Sequence, residues 1–157
     1  YGERQNIGDK YRNVLGIFMN QILKGQPLTI FGNGTQTRSF SYIDDVAPVI
    51  AQAVLNPAAY KQIFNIGGDQ PYSVNQLART VALAFGVEPA IKYLPERNEV
   101  LHAVASHEKV RRYFDVPTPV SLEEGVYRMA AWVQRVGAQA SKDFAAIEIR
   151  EGLPSGW

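Results

Sequence analysis

The stretch "FGNGTQTRSFSYIDDV", Phe31–Val46, decides the fold because it joins a turn, a strand and the start of a helix without a break. Its "GNG" segment is a turn, since glycine and asparagine accept backbone conformations that other residues avoid. "RSFSYI" then alternates, with Phe40 and Tyr42 on one face, which is typical of a strand. One arginine, Arg38, lies in that strand, and two carboxylates follow it. Their surroundings must explain what these charged groups bind.

Asp44 and Asp45 resemble a pair of catalytic acid and base groups at first sight. Asp44, however, is a good N-cap for a helix that runs to about Asn56, because its side chain accepts hydrogen bonds from the N–H groups of a first turn. Pro48 then lies near the first turn of that helix, where a missing N–H costs least. We therefore interpret both carboxylates as parts of the fold and not as catalytic groups.

The segments on either side alternate between strand-like and helix-like patterns. Short apolar runs predict strands at "PLTIF" (27–31), "AIKYL" (90–94) and "QIFNIGG" (62–68), the last a buried strand closed by two glycines. Helical spacing and end signals predict helices within "DKYRNVLGIFMNQILKGQ" (9–26), "YSVNQLARTVALAFG" (72–86), "SHEKVRRYF" (106–114) and "SLEEGVYRMAAWVQRVG" (121–137).

Capping residues mark the ends of two of these helices. Ser73 is a good N-cap and Gly86 a good C-terminal stop for the second helix, and Ser121 with Glu124 forms a capping-box pattern. The tail "IEIREGLPSGW" (147–157) has no clear period. Strands that alternate with helices predict an α/β fold with some parallel pairing. No repeat or linker interrupts the pattern, so we interpret residues 1–157 as a single unit.

The composition excludes several classes of function. The chain has no cysteine and two histidines, His102 and His107, which excludes thiolate chemistry and leaves too few ligands for most metal sites. A net charge of +1 favours neither a nucleic acid nor a membrane partner. No apolar run is long enough to span a bilayer. The polar start "YGERQNIGDKYR" does not resemble a signal peptide and lacks an initiator Met, so we expect a cytoplasmic fragment.

Four blocks, in this order, resemble the C-terminal half of the extended short-chain dehydrogenase/reductase family, the NAD-dependent sugar-nucleotide epimerases and dehydratases. Glu3 and Ser106 stand where that family usually has Pro and Asp. The resemblance implies the C-terminal portion of a Rossmann-type fold, with small mixed sheet elements and several helices. The blocks are "YGERQN" (1–6), "GQPLTIFGNGTQTRSFSYIDDV" (25–46), "FNIGGDQPYSVNQLA" (64–78), and "LPERNEV" (94–100) followed by "ASHEKVRRYF" and "PVSLEEGV".

The resemblance assigns the charged residues to a nucleotide diphosphate. Arg38 would grip the diphosphate, since a guanidinium makes bidentate, charge-assisted bonds to phosphate. Arg97 would be a second cation, although it lies two residues before Glu99 where three is more usual. Glu99 would orient a ribose hydroxyl or Arg97 itself. The alternatives are a solvated Arg38 on a strand face and an ion pair in the loop. Asp45 matches a structural aspartate of the family.

The same resemblance assigns an apolar slot to the nucleobase. Thr29, Ile30 and Phe31 would lie along the base, with Val14 and Leu15 opposite. The alternative is that Ile30 and Phe31 are core residues, and both interpretations can hold together. UDP-sugars are the substrates that the resemblance favours, as in UDP-glucose 4-epimerase.

Two motifs of the complete enzymes are missing from this chain. No G-x-x-G-x-x-G loop is present, and no Tyr is followed four residues later by Lys. The loop brings a helix N-terminus to the pyrophosphate of NAD, and the Tyr/Lys pair moves the proton during hydride transfer. We therefore expect no catalytic residue, no NAD bound by this chain alone, and no activity alone.

Two functions stay open. The first is the substrate-binding part of an NAD-dependent nucleotide-sugar epimerase or dehydratase. The second is a non-catalytic binding or assembly module derived from the same fold. In either case we expect a homo-oligomer, because "QIFNIGG" and the helix "DDVAPVIAQAVLN" should expose edges and apolar faces.

Overall fold

The computed structural model describes residues 1–9 and 11–141 of the chain. The tail 147–157, in which the sequence showed no clear period, lies outside these residues. The described helices are α1 (Val14–Leu23), α2 (Ile43–Ala53), α3 (Val74–Ala84), α4 (Glu108–Tyr113) and α5 (Leu122–Val136). The strands are β1 (Leu28–Phe31), β2 (Thr37–Ser39), β3 (Pro71–Ser73), β4 (Ile91–Leu94) and β5 (His102–Ala103).

The strands form two small sheets. In the first, β1 pairs with β4 in parallel, with Leu28 opposite Ile91 and Phe31 opposite Leu94. In the second, β2 is central, antiparallel to β3 and parallel to β5. The predicted α/β class with small mixed sheets and several helices is therefore confirmed. β3 and β5 were not predicted from the sequence.

The main core lies where α1, α3 and α5 pack together beside β1. Phe18 and Met19 of α1, Leu77 of α3 and Met129 of α5 are almost completely buried there. In α1, Phe18 and Met19 follow Leu15 by three and four residues, which keeps these apolar side chains on one face of the helix. A smaller cluster, which contains Val49, Ala59, Val110 and Phe114, links α2 with α4. The first core supports β1 and the inner face of α1, the two elements that carry the predicted base slot.

The predicted ends of α3 and the Ser121 cap of α5 are confirmed, but the carboxylate of Glu124 pairs with Arg128 at 2.7 Å and does not complete the predicted capping box. Ser73 and Gln76 form a reciprocal capping box at the start of α3, and Gly86 follows its end with a φ of 68°. The hydroxyl of Ser121 accepts a hydrogen bond from the N–H of Glu124 at 3.2 Å. These caps satisfy N–H groups that have no partner inside a helix.

The predicted N-cap of α2 is wrong by two residues. Tyr42 is the cap, and Asp44 lies in the first turn with its carboxylate exposed. The helix begins early because the N–H of Ile43 already donates to the carbonyl of Tyr1 at 2.8 Å. The charge of Asp44 still suits the positive end of the helix. Pro48 consequently lies inside α2, beyond its first turn.

The predicted buried strand at 62–68 is also wrong. The segment is not a strand, and the side chain of Ile63 is 86% exposed. Phe64 is half-buried against the rings of Tyr113 and Phe114. An apolar run becomes a strand only when a neighbouring strand supplies the hydrogen-bond ladder. No strand of the described residues pairs with this segment.

Within the described part of the chain, none of the helices combines the length and the apolar character that a bilayer span requires.

Candidate functional site

A cleft of about 710 Å³ opens between α1, β1 and the loop that connects β4 to β5. Seven of the eight residues predicted to bind the nucleotide line it: Val14, Thr29, Ile30, Phe31, Arg38, Arg97 and Glu99. Leu15 does not, because its side chain is buried in the main core. Successive helical residues point about 100° apart, so Val14 can line the cleft while its neighbour Leu15 packs into the core. The binding roles of all eight residues stay predictions.

Arg38 is held by protein contacts on two sides. Its NH1 group donates to the carbonyl of Thr37 at 2.8 Å and to that of Leu101 at 3.2 Å. Its NH2 group donates to the carboxylate of Glu99 at 2.9 Å. The Arg38 side chain is 28% exposed and that of Glu99 is 40% exposed. The guanidinium is thus fixed in place yet open to solvent at the cleft, with a counter-ion that the sequence did not suggest.

Arg97 lies across the ring of Phe31. Its guanidinium carbon is 3.3 Å from the ring centroid, a cation–π contact. Phe31 therefore joins the predicted base slot to the second predicted cation. Both arginines face the same cleft, as a two-cation clamp for one anionic ligand requires.

The base-slot strand is anchored to α1 by a side chain that the sequence analysis missed. The amide of Gln21 donates to the hydroxyl of Thr29 at 2.9 Å and accepts from the N–H of Thr29 at 3.2 Å. A signal was available, because Gln21 lies seven residues after Val14 and therefore on the same face of α1. Ile30 is 1% exposed, so its interpretation as a core residue is correct.

Gln36 is the second functional candidate that the sequence analysis missed. It lines the cleft, yet its side chain is buried. Its amide donates to the carbonyl of Phe31 at 2.9 Å and to the carboxylate of Glu99 at 3.3 Å. Its position two residues before Arg38, on the same face of an extended segment, was the available signal.

Asp45 has the structural role that the sequence predicted. Its carboxylate is buried, and both of its oxygens accept from the N–H of Val120 at 3.1 Å. This contact ties α2 to the start of α5.

A second polar cluster lies away from this cleft, beside a cavity of about 420 Å³. The Nδ1 atom of His107 is 2.7 Å from the carboxylate of Asp69, and Arg111 pairs with the other carboxylate oxygen. The hydrogen bond to His107, and then that to Arg111, hold the pKa of Asp69 below its usual value. His102 lines the same cavity, and its Nδ1 atom is 2.9 Å from the hydroxyl of Thr37. Among the described residues no three His, Asp or Glu side chains are grouped to hold a metal ion.

The described residues offer no helix start that fits the pyrophosphate of NAD. The described α-helices start after Asn13, Tyr42, Ser73, His107 and Ser121, and none of these starts is a glycine-rich turn. A dinucleotide site needs such a turn so that backbone N–H groups can approach the phosphates.

Comparisons with known proteins find relatives in one family. A family model described as "NAD dependent epimerase/dehydratase family" matches residues 1–67. UDP-glucuronate 4-epimerase from Thermodesulfobacterium geofontis is 34% identical over 116 residues, which are 73% of this chain and 36% of that relative.

Solved structures give the same result. UDP-glucose 4-epimerase from Thermotoga maritima, solved with UDP-glucose, has a TM-score of 0.79 at 28% identity, over 87% of this chain and 43% of that one. UDP-glucuronic acid 4-epimerase from Bacillus cereus, solved with UDP-glucuronic acid and NAD, has a TM-score of 0.77 at 27% identity, with the same two coverages of 87% and 43%.

The fold and these matches group the chain with the Rossmann-type nucleotide-sugar epimerases. The chain belongs to the NAD-dependent epimerase/dehydratase family, which confirms the resemblance found in the sequence. It spans about two fifths of the length of the curated relatives that it matches.

Proposed function

We propose that this chain is the substrate-binding part of an NAD-dependent nucleotide-sugar epimerase or dehydratase, and that its cleft takes the nucleoside diphosphate of a UDP-sugar. The observation that carries the proposal is Arg38, which is fixed at a cleft that apolar side chains such as Val14 and Phe31 also line. A nucleotide likewise combines an anionic phosphate end with a flat, mostly apolar base.

The residues that line the cleft suit the base and the diphosphate of such a ligand. Thr29 and Phe31 alternate with the buried Ile30, so both present their side chains to the cleft from one face of β1. Val14 faces them from α1 and supplies an apolar opposite wall. The base would lie between these two walls. Arg38 and Arg97 would then meet the two phosphates, where charge-assisted bonds are about twice as strong as neutral ones.

Glu99 is part of this proposal as a counter-ion. It neutralises Arg38 while no anion is bound, at an N–O distance of 2.9 Å. A diphosphate would share or replace this contact, since a guanidinium has five N–H donors in a planar fork. Two anions beside one arginine repel each other, so Glu99 limits the affinity for phosphate and keeps the site from trapping it.

The chemistry of the reaction belongs to residues that the described part of this chain does not supply. In a complete enzyme of this family, the hydride chemistry would be supplied by bound NAD. Because the residues present do not fit its pyrophosphate, we propose that the chain alone binds no NAD and orients only the nucleotide part of the substrate.

The decisive experiment is a calorimetric titration of the 157-residue chain with UDP, uridine and NAD. Arg38→Ala should weaken UDP binding by roughly ten- to a hundredfold, because a hydrogen bond to a charged group contributes about 1.5–3 kcal/mol. Uridine should bind the wild type and the variant equally, since it has no phosphate. Arg38→Lys should recover only part of the loss, because an ammonium cannot make a bidentate contact.

Arg79→Ala is the matched control, because Arg79 is an exposed arginine of α3 outside the cleft. It should leave UDP binding unchanged. If UDP binds and Arg38→Ala does not alter its affinity, the proposed phosphate site is wrong. Saturable binding of NAD would contradict the proposal that the chain alone binds only the nucleotide part of the substrate.

The alternative function is a binding or assembly module without catalysis. It is favoured by the exposed apolar side chains that follow α2, in particular Leu55 at 83% and Ile63 at 86% exposure. Such a module would associate through that region and would show no preference for UDP over uridine.

A further inference from the structure

Gln36 is an exception among the polar residues of the cleft, because its residue surface is only 8% exposed. A buried carboxamide is costly unless its hydrogen bonds are made. Its Nε2 group meets this need with two acceptors, the carbonyl oxygen of Phe31 at 2.9 Å and the carboxylate of Glu99 at 3.3 Å. Both of its amide hydrogens therefore have a definite direction.

These two acceptors belong to the two proposed parts of the site, the base slot and the phosphate contact. Phe31 is the last residue of β1 and part of the proposed base slot. Glu99 lies in the loop after β4 and holds the guanidinium of Arg38 through its other carboxylate oxygen. A continuous chain of hydrogen bonds thus runs from Phe31 through Gln36 and Glu99 to Arg38.

The backbone of Gln36 fixes the middle of this chain. Its carbonyl accepts from the N–H of Val74, the first residue of α3, at 3.1 Å. The amide is therefore held from a position that packs on the main core. A short, buried and anchored amide can set a distance between two groups more firmly than exposed side chains can.

We propose that Gln36 is a positioning residue that orients Arg38 through Glu99 and so sets the distance between the phosphate contact and the base slot. The inference rests on the proposed function, because it explains how that site is held ready for a nucleoside diphosphate. Gln36 itself does not contact the phosphates. Its effect on affinity passes through Arg38 and concerns only ligands that carry phosphate.

The test is Gln36→Met, which keeps the length and shape of the side chain but removes both N–H donors. UDP affinity should fall roughly three- to tenfold, about the net loss of one hydrogen bond, because Gln36 acts on Arg38 only through Glu99. Uridine affinity should not change. In an Arg38→Ala background the same substitution should have no further effect on UDP, since the group through which Gln36 acts is gone.

A readout without ligand accompanies the titrations. The guanidinium resonances of Arg38 in ¹⁵N NMR spectra report how firmly that group is held. Gln36→Met should speed rotation of the Arg38 guanidinium, and Gln52→Met, at an exposed position of α2, should leave it unchanged. If Gln36→Met does not fold, Gln36→Asn replaces it, because the shorter amide cannot reach both acceptors.

The outcomes separate this inference from the proposed function. An unchanged Arg38 signal in the variant overturns the inference whether or not UDP binds. Equal losses for UDP and uridine, or equal losses with and without Arg38, also overturn it, because they indicate a structural role alone. A loosened Arg38 in a chain that does not bind UDP supports the positioning role and rejects the proposed function.

Discussion

Gly34 shows how much one residue of the opening stretch contributes. It has a φ of 75°, and a Cβ added there would collide with the side-chain amide of Asn75. That amide is fixed, since it donates to the carbonyl of Asn33 at 2.9 Å and accepts from the hydroxyl of Tyr93 at 3.1 Å. The turn that leads into the strand of Arg38 is thus anchored to both α3 and β4.

We predict that Gly34→Ala destabilises the chain by more than the roughly 1–2 kcal/mol that a left-handed conformation costs a residue with a Cβ. The displaced Asn75 amide adds the loss of its hydrogen bonds. Gly25→Ala is the matched control, because Gly25 has a φ of 64° and no heavy atom within 4 Å of the added Cβ. Urea unfolding of both variants gives the comparison. Equal losses would contradict the packing role assigned to Asn75.

At the residue scale, the sequence predicted features that depend on local spacing and missed those that depend on contacts between distant residues. The sequence identified Arg38, Arg97, Thr29 and Phe31 as cleft residues because the spacing of a family block is visible along the chain. It did not pair Arg38 with Glu99, 61 residues away. Asp44 and Asp45 look alike in sequence, and only the contact with Val120 makes one of them buried.

At the scale of elements, a pair of side chains fixes the join between the first residues and α2. The hydroxyl of Tyr42 donates to the carboxylate of Glu3 at 2.6 Å. Burial, and then this hydrogen bond, raise the pKa of Tyr42 to about 12 from its usual value of 10.0. The same bond holds the pKa of Glu3 below its usual value of 4.5.

These shifts predict a pH window for stability. A tyrosine whose pKa is raised in the folded state stabilises it fully below pH 10 and loses that contribution as the pH rises from 10.0 to about 12. A carboxylate whose pKa is lowered stabilises the folded state above its ordinary pKa, and that contribution is lost as the pH falls below 4.5.

Tyr42→Phe tests this window, because it keeps the ring and removes the hydroxyl. The wild type should be more stable than the variant by about 1 kcal/mol between the two limits, the usual net contribution of one hydrogen bond. The difference should shrink below pH 4.5 and above pH 10.0. Urea unfolding followed by tryptophan fluorescence measures it. A difference that is constant with pH would show that the hydroxyl and carboxylate do not interact.

Helices were predicted better than strands, for a physical reason. A helix satisfies its own hydrogen bonds, so local spacing and caps such as Ser73 locate it well. A strand depends on a neighbour. "PLTIF" and "AIKYL" were found because each is a short apolar run. In the structure each of them is the other's neighbouring strand. β3 and β5 are too short to show a pattern, and residues 62–68 are apolar but have no strand partner among the described residues.

At the scale of the whole molecule, one group of strongly exposed apolar side chains runs from α2 to the segment 62–68. Ile50 of α2, Val54 and Leu55 just after it, and Ile63 are between 57% and 86% exposed. Apolar side chains exposed together mark surfaces that bind partners. We propose a second copy of the chain as the partner, which makes the chain alone a homo-oligomer.

We predict that sedimentation velocity shows self-association that increases with concentration. Val54→Lys combined with Leu55→Lys should abolish it, because two ammonium groups in an apolar contact repel their copies in the partner. Leu83→Lys is the matched control, since Leu83 is 78% exposed on α3, away from this stretch. It should leave association unchanged.

Two results would contradict this prediction, and they carry different meanings. A chain that stays monomeric at high concentration and binds no apolar dye has a surface that needs no partner, although its leucine and isoleucine side chains are exposed. A chain that associates equally in all variants uses another surface, and the cleft then becomes a candidate. UDP distinguishes that case. If association buries Arg38 and the base slot, saturating UDP should dissociate the oligomer by mass action. If association uses Val54 and Leu55, UDP should bind monomer and oligomer equally, and the sedimentation profile should not change.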